Sequence, residues 1–374
     1  MKLTCSKERL LESLNLVIKS VSSRTTLPIL ECVLVSADSR DGGGFQLLAN
    51  DLEMGIETAF VTAEVDEPGN IALDAKVFME IVRKMPSAAI YLETDSNSVT
   101  RIISGKSELK ILGMPGDEFP FLPVVEKSHA YAIKASELKE MIRQTIFSVA
   151  VEETKPILTG ELLQMKGGSL RMVSVDGFRI SYRSAEIEQT GEDIGVVVPA
   201  KALNELSRIL PSDGEEEVKF YFTDKHILFE MEAGTMVSRL LDGEFIKYDQ
   251  VFNNDFTTIV NLDKRELLSS LERAILISRD TKKNPVRLTM GQDAVVITST
   301  TEMGTSYDEI PADIDGSNME IGFNPRFLID ALRVIEDERI LIQFTTPLSP
   351  CIIKGVEGEN YKYLILPLRL PSRN

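Results

Sequence analysis

The side chains that most often perform catalysis or hold metals are scarce in this chain and are not grouped. The two histidines, His129 and His226, lack metal-like neighbours, and the three cysteines, Cys5, Cys32 and Cys351, stand at unrelated positions. Histidine is the usual general base and metal ligand, and a zinc site or a disulfide framework needs cysteines at regular spacings. We therefore expect buried thiols in a reducing compartment, no metal site and no cofactor.

Two further patterns also argue against an enzyme. The triple glycine at residues 42–44 is not followed by a helical pattern, as a phosphate-binding loop requires. Asp51 and Asp176 recur at an offset of 125 residues, which favours a repeated turn over a pair of catalytic acids. We expect a protein without catalytic activity.

One strand–helix segment occurs three times, at residues 71–87, 196–212 and 321–337. Asp74 and Asn324 are suited to cap two of these helices. Each helix carries apolar residues at helical spacing, and these are Phe78, Ile81 and Met85, then Leu203, Leu206 and Leu210, then Phe327, Ala331 and Ile335. Such recurrence is typical of a repeat protein.

The rest of the 374-residue chain follows the same period, and its 43% hydrophobic residues are typical of a globular protein. We predict an α+β fold of three tandem repeats, at residues 1–126, 127–253 and 254–374. Each repeat is expected to run β-α-β-β-β-α-β-β-β, which gives two helices per repeat and six in all. No apolar run is long enough for a signal peptide or a membrane span, so we expect a cytoplasmic protein.

Positive charge is concentrated on the predicted helices. The net charge is −17, yet the six helix windows (7–20, 76–85, 136–150, 200–210, 263–283 and 325–335) sum to +7, which leaves −24 elsewhere. One explanation is that these are solvated helix faces on which Lys and Arg pair with acids. The alternative is that the helices line one surface that faces a polyanion, which they bind weakly and without sequence preference.

Three repeats in a row leave an unpaired sheet edge at each end of the chain. Head-to-tail association of two chains removes both edges by closing a ring of six repeats. The residues proposed for that contact are Leu109, Ile111, Leu276 and Ile277. Ordinary core packing of the same four side chains is the alternative.

Seven segments in order make the chain resemble the beta subunit of bacterial DNA polymerase III. They are RTTLPIL (24–30), NDLEMGIE (50–57), VDGFRI (175–180), VVVPAK (196–201), LLDGEF (240–245), MEIGFN (319–324) and LPLRL (366–370). The resemblance implies a DNA-clamp fold whose helices line the inner face of a homodimeric ring around duplex DNA. It also implies an ATP-driven loader, tethering of the replicative polymerase and no catalytic site.

The resemblance assigns a pocket for short partner peptides with leucine and phenylalanine anchors. Its residues are Leu158, Gly177, Phe178, Arg179, Ile180, Val251, Leu348, Pro350, Leu364, Pro367, Leu368 and Arg369. The chain departs from the family pattern nearby, at Ile157, Val175, Phe178, Ile246 and Gln250, so its peptide preference is expected to differ. The four residues 371–374 extend past the usual last leucine, and a position over the pocket and a disordered tail are both open.

The resemblance also indicates residues that face DNA. They are Arg24, Lys76, Lys201 and Arg326. At Glu152 and Pro156 the family has side chains that touch DNA, which puts that contact in doubt for this chain. The remaining alternative for the whole protein is an acidic repeat scaffold that binds proteins only.

Overall fold

The computed structural model describes residues 1–22, 24–86, 88–152, 154–189, 191–252, 255–277, 285–356 and 358–370. Within these ranges there are six α-helices, two per repeat, as predicted. Their bounds are α1 Lys7–Val17, α2 Ala75–Lys84, α3 Ala135–Thr145, α4 Ala200–Ile209, α5 Lys264–Leu276 and α6 Pro325–Val334. Over the same residues, no helix is both long and apolar enough to cross a membrane.

Antiparallel strands make up most of the remaining described chain. In the first repeat they are β1 Lys2–Ser6, β2 Cys32–Asp38, β3 Gly44–Asn50, β4 Met54–Thr58, β5 Val61–Thr62, β6 Glu64–Glu67, β7 Gly69–Asp74, β8 Ala89–Thr94, β9 Val99–Ser104, β10 Ser107–Leu112 and β11 Met114–Pro115. In the second they are β12 Tyr131–Lys134, β13 Gly160–Lys166, β14 Ser169–Val175, β15 Arg179–Glu186, β16 Glu188–Gln189, β17 Ile194–Pro199, β18 Glu217–Phe222, β19 His226–Met231 and β20 Gly234–Arg239. In the third they are β21 Thr258–Asp263, β22 Val286–Met290, β23 Ala294–Thr301, β24 Gly304–Gly316, β25 Met319–Phe323, β26 Arg339–Phe344, β27 Cys351–Gly355 and β28 Tyr361–Ile365.

The chain forms two compact units. The first comprises Met1–Ser136, Glu188–Gly191 and Arg208–Leu240. It contains a five-stranded sheet in the order β10-β9-β8-β1-β6. A second sheet has the order β11-β7-β2-β3-β4-β20-β19-β18-β12-β16, with β5 beside β3. Within this unit, β18 to β20 of the second repeat therefore extend a sheet of the first.

The second unit comprises Glu137–Ile187, Glu192–Ser207 and Leu241–Asn374. Its strands form one continuous path in the order β17-β13-β14-β15-β28-β27-β26-β21-β24-β23-β22-β25. Helices α5 and α6 pack on the third-repeat part of this path through Leu267, Leu271, Leu328 and Leu332, all fully buried. The middle repeat thus gives strands to sheets of both neighbouring repeats.

The predicted strand count per repeat is wrong between the two helices. Residues 45–60, interpreted as one run, form two strands, because the chain turns at Asp51. The Asp51 carboxylate accepts hydrogen bonds from the backbone N–H groups of Glu53 and Met54, at 3.0 and 2.8 Å. A short acceptor side chain that bonds its own backbone two residues on is a strong turn former. The turn function predicted for this aspartate is therefore confirmed.

The predicted helix caps are confirmed. Asp74 accepts from the backbone N–H of Val77 at 2.8 Å, and Asn324 accepts from that of Arg326 at 3.0 Å. The predicted apolar stripe is correct for α2 and α4 except that Ile81 is half-buried. It is wrong at Phe327, which is only partly buried, because Leu328 holds the core position that Phe78 and Leu203 hold in the other repeats.

Successive repeats are joined by the same strand pairing at two junctions. In the first unit β4 pairs with β20, and Met54 lies opposite Ser238. In the second unit β15 pairs with β28, and Arg179 lies opposite Ile365. Each ladder has five residue pairs. One geometry therefore serves both junctions within the chain.

Candidate functional site

The predicted peptide pocket lies at the β15–β28 junction of the second unit. Leu158, Ile180 and Leu364 are buried there in one apolar cluster that includes the ring of Tyr248. Ile180 lies directly opposite Leu364 in the ladder, and the backbone N–H of Leu366 donates to the carbonyl oxygen of Phe178 at 2.9 Å. The pairing of these strands therefore provides an apolar floor.

The other predicted pocket residues lie close in sequence to members of this floor and its cluster, and they differ in exposure. Gly177, Phe178, Val251, Leu348 and Arg369 are exposed, whereas Pro350, Pro367 and Leu368 are half-buried. An apolar floor with an exposed apolar rim can receive the side chains of an extended peptide. We call these residues and the floor the partner groove.

Two of the departures from the family pattern adjoin the partner groove through its cluster. Val175 is buried in the cluster, and Ile157 packs against it. Phe178 stands on the rim, while Ile246 and Gln250 are exposed on the segment between β20 and β21. The C-terminal segment continues along β25, where the N–H of Leu368 donates to the carbonyl oxygen of Gly322 at 2.8 Å. The tail at 371–374 lies outside the described residues.

Arg179 is a charged residue of the groove whose side chain is only 11% exposed. Its Nε donates to the Asp176 carboxylate at 2.9 Å, its Nη1 to Asp330 at 2.7 Å, and its Nη2 to the carbonyl oxygen of Phe147 at 2.7 Å. Its guanidinium also lies over the rings of Phe147 and Phe327. One side chain thus connects the turn before β15, the segment after α3, and α6.

Phe178 is held in place by a residue that the sequence did not assign to the groove. Its ring stacks on that of Phe327, with centroids 6.3 Å apart and planes at 28°. The sequence did carry a signal, since the other repeats have the smaller Val77 and Ala202 at this position. Asp330 was interpreted only as part of a charge pattern, since nothing local indicates a partner 151 residues away.

The four predicted DNA-facing residues, Arg24, Lys76, Lys201 and Arg326, are all exposed. With the observed helix bounds, the six helices sum to +5 and the rest of the chain to −22, which together give the net −17. The concentration of positive charge on helices therefore persists, although the predicted window 263–283 extends into residues outside the described ranges. Glu152 and Pro156 are also exposed.

The repeated plus–minus–plus pattern is used differently in different helices. In α2, Glu80 pairs with Arg83 of the same helix. In α6, Asp330 pairs instead with Arg179, and Arg333 pairs with Glu272 of α5 at 2.8 Å. The same pattern of charges thus forms an ion pair inside α2, whereas in α6 it forms ion pairs with other elements.

The predicted end-to-end contact residues lie on or beside strands with one unpaired edge. Leu109 and Ile111 belong to β10, which in the described chain pairs only with β9. Leu276 ends α5 and is 77% exposed, and Ile277 follows it. The structure adds the first half of β24, residues 304–310, whose second edge has no partner strand among the described residues.

The sequence predicts that the three cysteines are buried thiols and that the chain has no metal site. Cys5, Cys32 and Cys351 are all free and buried, as predicted. Burial raises the pKa of the Cys32 thiol to about 11 and those of Cys5 and Cys351 to about 12, so all three stay neutral. The described residues contain no group of three or more His, Cys, Asp or Glu side chains placed to hold a metal.

Three repeats, each with two helices and antiparallel strands, joined by one strand-pairing geometry, define the DNA-clamp class of fold. Sequence models of the DNA polymerase III beta subunit match the chain over nearly its whole length. The N-terminal domain matches residues 1–123, the central domain 132–247, and the C-terminal domain 249–369. The chain belongs to the DNA polymerase III beta subunit family.

Relatives and solved structures agree with this assignment. The chain is 36% identical to the beta sliding clamp of Bacillus subtilis, covering 99% of this chain and 100% of that protein. It is 32% identical to that of Staphylococcus aureus, with 99% of each covered. A crystal structure of a putative beta subunit from Eubacterium rectale has 42% sequence identity and a TM-score of 0.94. The crystal structure of the clamp from B. subtilis has 35% sequence identity and a TM-score of 0.95. Each comparison covers 99% of this chain and 100% of the other chain.

Proposed function

We propose that this protein is a sliding clamp, a homodimeric ring that encircles duplex DNA and tethers the replicative polymerase. It has no catalytic role of its own. The observation that carries the proposal is the recurrence of one strand ladder at both junctions between repeats. Among the described residues, β10 and the first half of β24 are further copies of its two strands, each with one unpaired edge.

The unused edges predict the register between two chains. The strand that follows the repeated turn begins at Met54 in the first repeat, at Arg179 in the second and at Gly304 in the third. In the same way, β10 pairs with β9 as β20 pairs with β19. Ser238 therefore corresponds to Ile111. By analogy with the internal ladders, Ile111 lies opposite Gly304 of the partner subunit, and Leu109 opposite Ser306 of the partner subunit.

Side chains beside these edges support the same contact. Leu276 corresponds, at an offset of 129 residues, to Phe147, which packs against the third-repeat core in the second unit. A cleft of about 480 Å³ between α2 and β10 is lined by Val77, Ile81 and Leu109. Leu276 of the partner subunit would fill this cleft as Phe147 fills its counterpart, which removes exposed apolar surface.

The excess of positive charge on the helices supports a loose hold on DNA. Lys76 and Arg326 are exposed on α2 and α6, whereas the non-helical part of the chain is strongly negative. Cationic side chains that meet phosphates give affinity without reading bases, which permits movement along the duplex. Negative charge elsewhere repels DNA from other surfaces.

The partner groove is the proposed attachment site for other proteins. Its ligands are short peptides with leucine and phenylalanine anchors, carried by the polymerase, a clamp-loader subunit and other replication proteins. Because replication of a bacterial chromosome takes place in the cytoplasm, the proposal places the protein there.

Retention on circular DNA tests the proposal directly. The full-length protein is loaded on nicked circular DNA by a bacterial clamp loader with ATP, and bound protein is measured after gel filtration before and after the DNA is cut once. A ring stays on the circle and is lost from the linear form. An acidic scaffold that binds proteins only would not be retained on either DNA, and equal retention on both would also refute the clamp.

A further inference from the structure

The Arg179–Asp330 ion pair links the partner groove to a helix on the proposed DNA-facing surface. Arg179 immediately follows Phe178 in the groove rim, and Asp330 lies in the middle of α6. The Nη1–Oδ2 distance is 2.7 Å, and the guanidinium carbon lies 4.5 Å from the centroid of the Phe327 ring. Phe327 in turn stacks on Phe178. Displacement of the Phe178 ring therefore removes support from the ion pair.

Asp330 has a second set of cations within reach on its own helix. Arg326 is four residues before it and Arg333 three residues after it, spacings that bring side chains together on one helix face. Within the described residues the Arg326 guanidinium forms no ion pair, and Arg333 is held by Glu272. Arg179 thus removes from α6 the carboxylate that would otherwise neutralise Arg326.

Helix α2 shows the alternative arrangement of the same pattern. Its acid, Glu80, is the counterpart of Asp330 and pairs with Arg83 in its own helix. The strand that begins at Met54, the counterpart of Arg179, pairs with β20 of the second repeat and so brings no cation to α2. The molecule therefore contains both arrangements, an acid that pairs within its helix and an acid that is drawn away from it.

We propose that Arg179 couples the partner groove to DNA binding by holding Asp330 away from Arg326. A peptide that inserts against Phe178 competes with Phe327 for its ring, loosens Arg179 and returns Asp330 to Arg326. Occupied rings then hold phosphates less tightly and move more freely along the duplex. This coupling rests on the proposed function and adds a regulation of the groove to it.

Duplex affinity with and without peptide tests the coupling. The full-length dimer is titrated into a labelled 20-base-pair duplex at low salt, alone and with a saturating synthetic peptide that has leucine and phenylalanine anchors between neutral residues. We expect the peptide to weaken duplex binding about fivefold, a coupling at the lower end of the usual range. Because coupling is reciprocal, saturating duplex weakens peptide binding by the same factor.

Two variants isolate the ion pair. In Asp330→Asn the acid cannot neutralise Arg326, so duplex affinity no longer responds to peptide. The matched control is Glu80→Gln, which removes the same charge from the corresponding position of α2 and keeps the response. Should Asp330→Asn fail to fold, the exposed Arg326→Gln replaces it, with weaker duplex binding and no response expected.

Three results would overturn the coupling. The first is a wild-type protein that binds peptide and duplex independently, and the second is an Asp330→Asn or Arg326→Gln protein with the full wild-type response. The third is loss of the response in Glu80→Gln. A protein that is not retained on circular DNA refutes the clamp itself, whereas a retained protein without coupling refutes only the role of Arg179.

Discussion

Leu122 lies directly over the backbone of Gly55 at the first junction between repeats. A Cβ atom on Gly55 would be 2.0 Å from Leu122 Cδ2 and 3.2 Å from the carbonyl oxygen of Ala49. Leu122 packs against two apolar clusters of the first unit, so it cannot move without loss of contacts. The glycine at the second position of β4 is therefore required by packing.

Gly55→Ala should destabilise the protein by about 1–3 kcal/mol, the usual cost of overpacking. The free energy of unfolding is measured by urea denaturation. Gly195→Ala is the matched control, because a Cβ at Gly195 in β17 would meet Leu162 Cδ1 at an ordinary 3.7 Å. Equal stability of Gly55→Ala and the wild type would contradict this account.

The buried carboxyl group of Glu161 should make the protein less stable as the pH rises. Glu161 is fully buried in β13, and burial raises the pKa of its carboxyl group from 4.5 to about 8. The nearby Thr145 hydroxyl donates to the carbonyl oxygen of Met141 at 2.7 Å, and neither carboxyl oxygen has a hydrogen-bond partner. The folded protein therefore keeps a proton that the unfolded chain releases.

Stability should then fall as the pH rises from 4.5 to about 8 and level off above that, with a loss on the order of 3 kcal/mol between pH 4.5 and 7. Val33 and Val286 occupy the same ladder position in the other repeats. Glu161→Val should remove this component of the pH dependence and stabilise the protein at pH 8. Denaturant unfolding of both proteins at several pH values decides the matter, and parallel pH profiles would refute it.

Leu276→Asp should convert the ring to monomers. The side chain is 77% exposed within one chain, so the fold should persist while a carboxylate enters the proposed apolar contact. Sedimentation velocity at micromolar concentration measures the change. Val151→Asp is the control, since Val151 is 94% exposed but follows α3 and belongs to none of β10, β24 and α5, and it should remain dimeric. A dimeric Leu276→Asp protein would count against the proposed interface.

Phe178→Ala should weaken binding of the leucine–phenylalanine peptide about tenfold, the order of effect expected when an aromatic anchor of an interface is truncated. Phe178 is 56% exposed, so little effect on stability is expected. Fluorescence anisotropy measures the affinity. Phe121→Ala removes an equally large, 66% exposed ring from the first unit and should leave binding unchanged. Similar losses in the two variants would show that the groove is elsewhere.

The features predictable from the sequence were those that depend on residues close together in the chain. The repeat period, the six helices and the caps Asp74 and Asn324 follow from local spacing, and the structure confirms them. The Asp51 turn was foreseen as a turn, but its effect on the number of strands was missed. Residues 45–60 were interpreted as one run although Asn50 and Asp51 interrupt its apolar residues.

The unpredicted part of the site depends on contacts between distant segments. Phe327 was interpreted as a core residue because helical spacing does not distinguish a core position from its neighbour on the helix. The Arg179–Asp330 pair spans 151 residues, and only the folded β15–β28 junction brings its members together. The burial of Glu161 was also unforeseen, since a charged residue in a strand is normally assigned to the solvent face.

The two internal junctions share one register. A junction between repeats could therefore equally be a peptide link within one chain or a contact between two chains. A circular permutant that begins at the second repeat would carry a β20 edge at one end and a β4 edge at the other, in place of β10 and β24. The break between subunits would simply move to another junction. In the proposed ring, the junction that opens would therefore be the one that lacks a peptide link, whichever strands form it.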